Sequence, residues 1–88
     1  MLQNKYSKWY FGIIENARNR VLTGYRENHH ILPKSMGGSD NPDNLVKLTA
    51  REHFICHLLL TKMTAGADLM KMRKAIRYMT CFPKKMNG

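Results

Sequence analysis

Apolar side chains recur at helical spacing near the start of the chain: Leu2, Tyr6, Trp9, Tyr10, Ile13, Ile14, Ala17 and Val21. The repeat predicts an amphipathic helix over about residues 3–22, with Lys5, Lys8, Arg18 and Arg20 mostly on its polar side. Thr23-Gly24 ends it, because glycine readily takes the left-handed conformation at a helix terminus. From Tyr25 to Leu32 the period shortens to two, which suits a strand. Tyr25, Glu27, His29 and Ile31 then share one face, and Arg26, Asn28, His30 and Leu32 the other. Pro33 stops the strand.

Residues 34–44 form a turn-rich loop, in which Gly37 to Asn44 carries no apolar side chain except Pro42. Leu45 to Leu48 is a second short strand, antiparallel to the first. Thr49 is placed to cap a helix, with Glu52 three residues on completing a capping box. That helix runs from Ala50 to about Met63, with Phe54, Leu58 and Met63 or their neighbours toward the core, and Ala65-Gly66 breaks it. A last basic helix, about residues 68–80, turns Leu69, Met72, Ile76 and Met79 inward and Lys71, Arg73, Lys74 and Arg77 outward. Phe82-Pro83 ends it, and Lys84 to Gly88 is expected to fray. The order is helix, two-stranded ribbon, helix, helix, an α+β arrangement. An isolated ribbon is marginal in water and needs the helices packed against it.

Composition narrows what such a chain does. With 88 residues it is a single domain of modest core, and 15 Lys and Arg against 6 Asp and Glu leave a net charge of +9. The excess points to a polyanion, nucleic acid foremost. The longest apolar runs, Trp9 to Phe11 and Leu58 to Leu60, fall far short of the ~20 residues of a membrane span. The polar N-terminus is no secretory segment, and Cys56 and Cys81 form no CxxC pair. A reduced cytoplasm is the expected location. Cys56 is expected as a buried thiol, and Met63, Met70, Met72 and Met79 as core filler.

The histidines change the picture most. All four lie between positions 29 and 57. His53 and His57 are four apart in the predicted helix, so they project from one face and can bind one ion together. His29 and His30 are strand neighbours and point to opposite faces. One of that pair can join the helical histidines at a metal, while the other stays metal-free and able to take up a proton. Metal-assisted hydrolysis needs that division of labour.

Glu27-Asn28-His29-His30-Ile31, the loop ending in Asn44-Leu45 and the helix carrying His53 and His57 resemble the ββα-metal (His-Me finger) module of HNH endonucleases. Asn44 follows His30 by fourteen residues, His53 follows Asn44 by nine and His57 follows by four more, close to the spacing of colicin-type nucleases. Gly37-Gly38-Ser39-Asp40 and Leu48-Thr49-Ala50-Arg51-Glu52-His53 are closer to phage HNH homing endonucleases. The resemblance spans about residues 25–60, within a ββα core of about 25–63. It implies His29, His53 and His57 as metal ligands and His30 as general base. It further implies that Asn44 braces the loop and keeps His30 aimed, and that Glu27 is an acidic group behind a histidine ligand. The implied activity is hydrolysis of DNA phosphodiesters, leaving 5′-phosphate and 3′-hydroxyl.

One divalent ion is expected. Three imidazoles suit Zn²⁺, Ni²⁺ or Mn²⁺ better than Mg²⁺, whereas many homing relatives replace one histidine with an oxygen ligand and use Mg²⁺. Should His57 turn away, His29 and His53 would hold a more open site. Arg26, Lys34 and Arg51 are the best-placed phosphate contacts, with Lys47 behind them, and Lys71, Arg73, Lys74 and Arg77 form either a DNA-backbone surface or a solvated face. Asp40 and Asp43 shape the turn, where a carboxylate can also reach a metal-bound water. A homodimer or a partner protein remains open. The alternative is a non-catalytic nucleic-acid-binding module with a structural metal site; a basic adaptor without metal is more remote.

Overall fold

The computed structural model describes residues 2–80, with side chains as far as residue 76. Three helices and a two-stranded sheet follow in the order α1 (Lys5–Arg18), β1 (Glu27–His30), β2 (Leu45–Leu48), α2 (Ala50–Lys62) and α3 (Gly66–Thr80). The expectations for Cys81, Phe82-Pro83 and the tail from Lys84 to Gly88 lie outside the described residues, as do those for the Arg77 and Met79 side chains.

The first helix is shorter than its apolar repeat. Asn4 caps its start: the Asn4 side chain accepts from the Tyr6 and Ser7 amides at 2.9 and 3.1 Å, and Ser7 Oγ accepts from the Asn4 amide at 3.0 Å. Asn4 also donates to the Lys62 carbonyl, and the Leu2 amide to that of Met63, which fastens the start of α1 to the end of α2. At the other end the Asn19 side chain donates to the Glu15 carbonyl at 3.0 Å, a local bond that competes with continued helix. Arg20 then pairs with Glu52 in the first turn of α2. Val21 therefore falls beyond the helix and is 93% exposed, and Leu2 and Trp9 are exposed as well. Trp9 instead meets Tyr6 edge to face.

The ribbon is antiparallel with Glu27 opposite Leu48, Asn28 opposite Lys47, His29 opposite Val46 and His30 opposite Leu45. The first strand is only four residues long, not eight; Tyr25 stands exposed before it, and Ile31-Leu32 leave the ladder for the loop. That loop holds two 3-10 turns, Lys34–Met36 and Pro42–Asn44. Its Gly37-Gly38 pair is required by geometry. Gly37 has φ of 98°, and a Cβ on Gly38 would collide with the Leu32 carbonyl.

The capping box of Thr49 and Glu52 starts α2, in both directions. The core gathers Tyr10, Ile14 and Ala17 of α1, Val46 and Leu48 of β2, Cys56 and Leu60 of α2, Met63 at its end and Met72 of α3. Two expected core residues point outward. Leu58 lies two positions from both Cys56 and Leu60, about 200° round the helix, and is exposed; Met70 stands in the same relation to Met72. Leu69 and Ile76 are half-buried, while Lys71, Arg73 and Lys74 are exposed. No described helix is long and apolar enough to cross a membrane.

Candidate metal centre

Strand alternation turns His29 inward and His30 outward. His29 is 1% exposed, whereas the His30 side chain keeps 29% exposure. On α2, His53 and His57 stand one turn apart and face His29. The three rings lie with centroids 5.0 to 5.4 Å from one another, and one nitrogen from each falls within 4.8 Å of the others.

Each of two inner rings is held by a partner that selects its tautomer. Tyr10 Oη lies 2.7 Å from the Ile31 carbonyl and 2.7 Å from His29 Nε2. Glu27 Oε1 accepts from His53 Nδ1 at 2.6 Å, while Tyr25 donates to Glu27 Oε2 at 2.5 Å. In the neutral ring, a proton on His53 Nδ1 leaves Nε2 as the lone-pair nitrogen. Burial alone would raise the Glu27 carboxyl, but hydrogen bonds from Tyr25 and His53 hold it below its ordinary value. Tyr10 is shifted upward by burial, with Cys56 adding to it, and keeps its proton. Burial, reinforced by the neighbouring imidazoles, pushes His29 down to about 3; burial, then His53, pushes His57 down to about 4. Both rings are therefore neutral at physiological pH.

Two buried side-chain atoms without a hydrogen-bond partner among the described residues are His29 Nδ1 and His57 Nδ1. A buried polar atom left unpaired costs about 1–3 kcal/mol, so two in one cluster demand a cause. The donor set fits a divalent cation: three converging imidazoles, two of them neutral and each with a buried nitrogen that has no partner. Cys56 stays apart from this group. It is fully buried, and burial first, then Glu52, pushes its thiol up to about 12, which makes it an inert core residue.

Across the strand the surroundings are different. His30 Nε2 meets Asp40 Oδ1 at 2.7 Å, and Lys34 Nζ meets Asp40 Oδ2 at 3.0 Å. Hydrogen bonds from His30, then from Lys34, hold the Asp40 carboxyl below its ordinary value. An ionised carboxylate only accepts, so the shared proton belongs to His30 Nε2; in the neutral ring the lone pair is then on Nδ1. Asn44 holds the loop that carries Asp40: its Oδ1 accepts from the Leu32 amide at 2.9 Å, and its Nδ2 donates to the Leu32 and Ser39 carbonyls at 3.0 and 2.8 Å.

Of the basic residues singled out by sequence, Lys34 joins this outer group. Arg26 is exposed and bonds the Gly24 carbonyl, and Arg51 is exposed in the first turn of α2. Lys47 reaches across the ribbon to Asn28 at 2.6 Å, and Lys71 ties α3 to the loop through the Ser35 carbonyl at 3.0 Å. Two contributors escape the sequence reading: Tyr10, which there is only a member of an apolar stripe, and Asp40 as the partner of His30. The one available signal for Tyr10 is that a buried tyrosine hydroxyl needs a partner. Nothing in the spacing pairs it with a histidine nineteen residues away.

Fold and site together define a small α+β protein with a three-histidine candidate metal centre and, on the other side of the same strand, a histidine–aspartate pair. The chain is similar to mobile endonucleases of Enterobacteria phage T4. It is 54% identical over 59 residues to probable mobile endonuclease E, covering 66% of this chain and 42% of that protein. To probable mobile endonuclease B it is 47% identical over 79 residues, 84% of this chain and 29% of that protein. Probable mobile endonuclease D is 49% identical over 63 residues, and the match takes in 24% of its length. The chain thus spans less than half the length of these relatives, from 24 to 42%. No family model matches it, and no solved structure does.

Proposed function

We propose that this chain is the nuclease module of a metal-dependent DNA endonuclease of the HNH type, with a ββα-metal core formed by β1, β2 and α2. The observation that carries the proposal is the convergence of His29, His53 and His57 behind a strand whose next residue, His30, is held on the opposite side by Asp40. Similarity to probable mobile endonucleases supports the same reading.

His29, His53 and His57 would hold one divalent ion, with Glu27 orienting His53. When bound, such an ion would supply Lewis-acid stabilisation of the charge that develops as the phosphodiester is hydrolysed. His30 takes the proton of the attacking water on Nδ1, the nitrogen that Asp40 leaves unprotonated. Hydrogen bonds from His30, then from Lys34, keep the Asp40 carboxylate charged, and Asn44 keeps the loop beneath it in place. Arg26, Arg51 and the exposed cations of α3 meet the DNA backbone, adding affinity without sequence preference. Hydrolysis then leaves a 5′-phosphate and a 3′-hydroxyl. A reduced cytoplasm, that of the host for a phage-encoded protein, suits the inert thiol.

A structural-metal binding module is the weaker alternative. Structural zinc sites are closed by four protein ligands, and the group assembled here among the described residues has three. The test is cleavage of supercoiled plasmid by purified protein, stripped with chelator and reloaded with Zn²⁺, Ni²⁺, Mn²⁺ or Mg²⁺, beside His30→Ala. Cleavage should disappear with chelator, return with at least one ion, and fall by ~10²–10⁴-fold in the variant. A His30→Ala protein that binds metal and DNA and cuts at the wild-type rate would overturn the mechanism.

A further inference from the structure

The N-terminal helix lies outside the ββα segment, yet its Tyr10 touches the centre of that segment. Tyr10 is fully buried, and its hydroxyl makes two contacts of 2.7 Å, one to the Ile31 carbonyl and one to His29 Nε2. A hydroxyl has one proton. A carbonyl oxygen has none to give, so the proton between Tyr10 and Ile31 must be the tyrosine's. Toward His29 the hydroxyl is then an acceptor, and His29 Nε2 must carry the imidazole proton. The lone pair falls on Nδ1, the buried nitrogen that has no partner among the described residues.

We infer that Tyr10 is a positioning residue of the metal centre: from α1 it fixes His29 in the Nε2–H tautomer and so presents Nδ1 to the ion. The inference rests on the proposed metal site and extends it to a helix that supplies no ligand. Glu27 does the complementary thing for His53, taking the Nδ1 proton and freeing Nε2. Two of the three inner histidines are thus set in opposite tautomers by two different partners. Tyr10 also spans from His29 to Ile31 and so fixes the ring to the backbone just beyond the strand. The seating of α1 and the strength of metal binding become linked, because the same hydroxyl serves both.

Two measurements test this, neither needing cleavage. In the metal-free wild-type chain, long-range ¹⁵N–¹H correlation spectra of the imidazoles should show His29 protonated at Nε2 alone. Calorimetric titration with Ni²⁺ or Zn²⁺ should show Tyr10→Phe binding roughly 10–100-fold more weakly than wild type, the range typical of lost support behind a metal ligand. Ile14→Val, a core change in the same helix, should leave the affinity within about twofold, which separates positioning from general loosening of α1. A His29 ring protonated at Nδ1 in the wild-type spectrum overturns the assignment of Tyr10, and that spectrum needs no variant to fold. Equal affinity of Tyr10→Phe and wild type overturns it too. Wild-type protein that takes up neither ion overturns the metal reading itself, a different failure from the other two.

Discussion

His29 and His30 are neighbours with the same side chain, and the fold gives them opposite chemistry. His29 is buried, its ring pinned by Tyr10, one nitrogen protonated and the other left open inside a cluster of imidazoles. His30 is partly exposed, backed by an ionised aspartate that a lysine also contacts. One residue of strand, with its period of two, produces the difference. The inner side is suited to binding a cation and the outer side to moving a proton. The strand backbone separates the two sets of nitrogens, so the environment of one is set independently of the other. The supports are separate as well: α1 and α2 build the inner side, and the loop between the strands builds the outer one.

That separation makes the two sides separately breakable. The largest effect is expected for His30→Ala, which should lower plasmid cleavage by ~10²–10⁴-fold, the usual contribution of general base catalysis, with metal uptake intact. Glu27→Gln acts on the inner side alone. It should weaken metal binding by ~10–100-fold in a calorimetric titration, through loss of the carboxylate behind His53. Gly38→Ala acts on the outer loop. The new Cβ would meet the Leu32 carbonyl, and forcing the loop apart should cost about 1–3 kcal/mol in denaturant unfolding and slow cleavage by displacing Asp40. The smallest effect belongs to scaffold common to both: Thr49→Ala removes the cap of α2 and should cost about 1 kcal/mol of stability, leaving the metal stoichiometry unchanged.

Much of this is legible from local chemistry, and the limits fall where contacts become long-range. The second strand and α2 are readable because their signals are adjacent in sequence: alternation over Leu45 to Leu48, then Thr49 and Glu52 in a capping box. The opposite facing of His29 and His30 follows from strand geometry alone. The end of α1 is not readable, because Asn19 bonding back to Glu15 outweighs the apolar spacing that carries on to Val21. Periodicity also names a face without naming its neighbour. Trp9 and Leu58 satisfy a helical repeat and still point away from the core, because what decides is the direction in which the next element packs. The supports of the two histidines are the least readable part. Tyr10 reaches His29, and Asp40 reaches His30, only once α1 has docked and the Gly37-Gly38 turn has folded back.

The division between the two faces is tested most directly by one experiment, a metal-binding isotherm recorded for His29→Ala and His30→Ala beside wild type. His30→Ala should bind one ion with wild-type affinity, and His29→Ala should lose most or all of the binding. Loss of the ion in His30→Ala, or its retention at full strength in His29→Ala, would contradict the assignment of binding to the inner face and proton transfer to the outer.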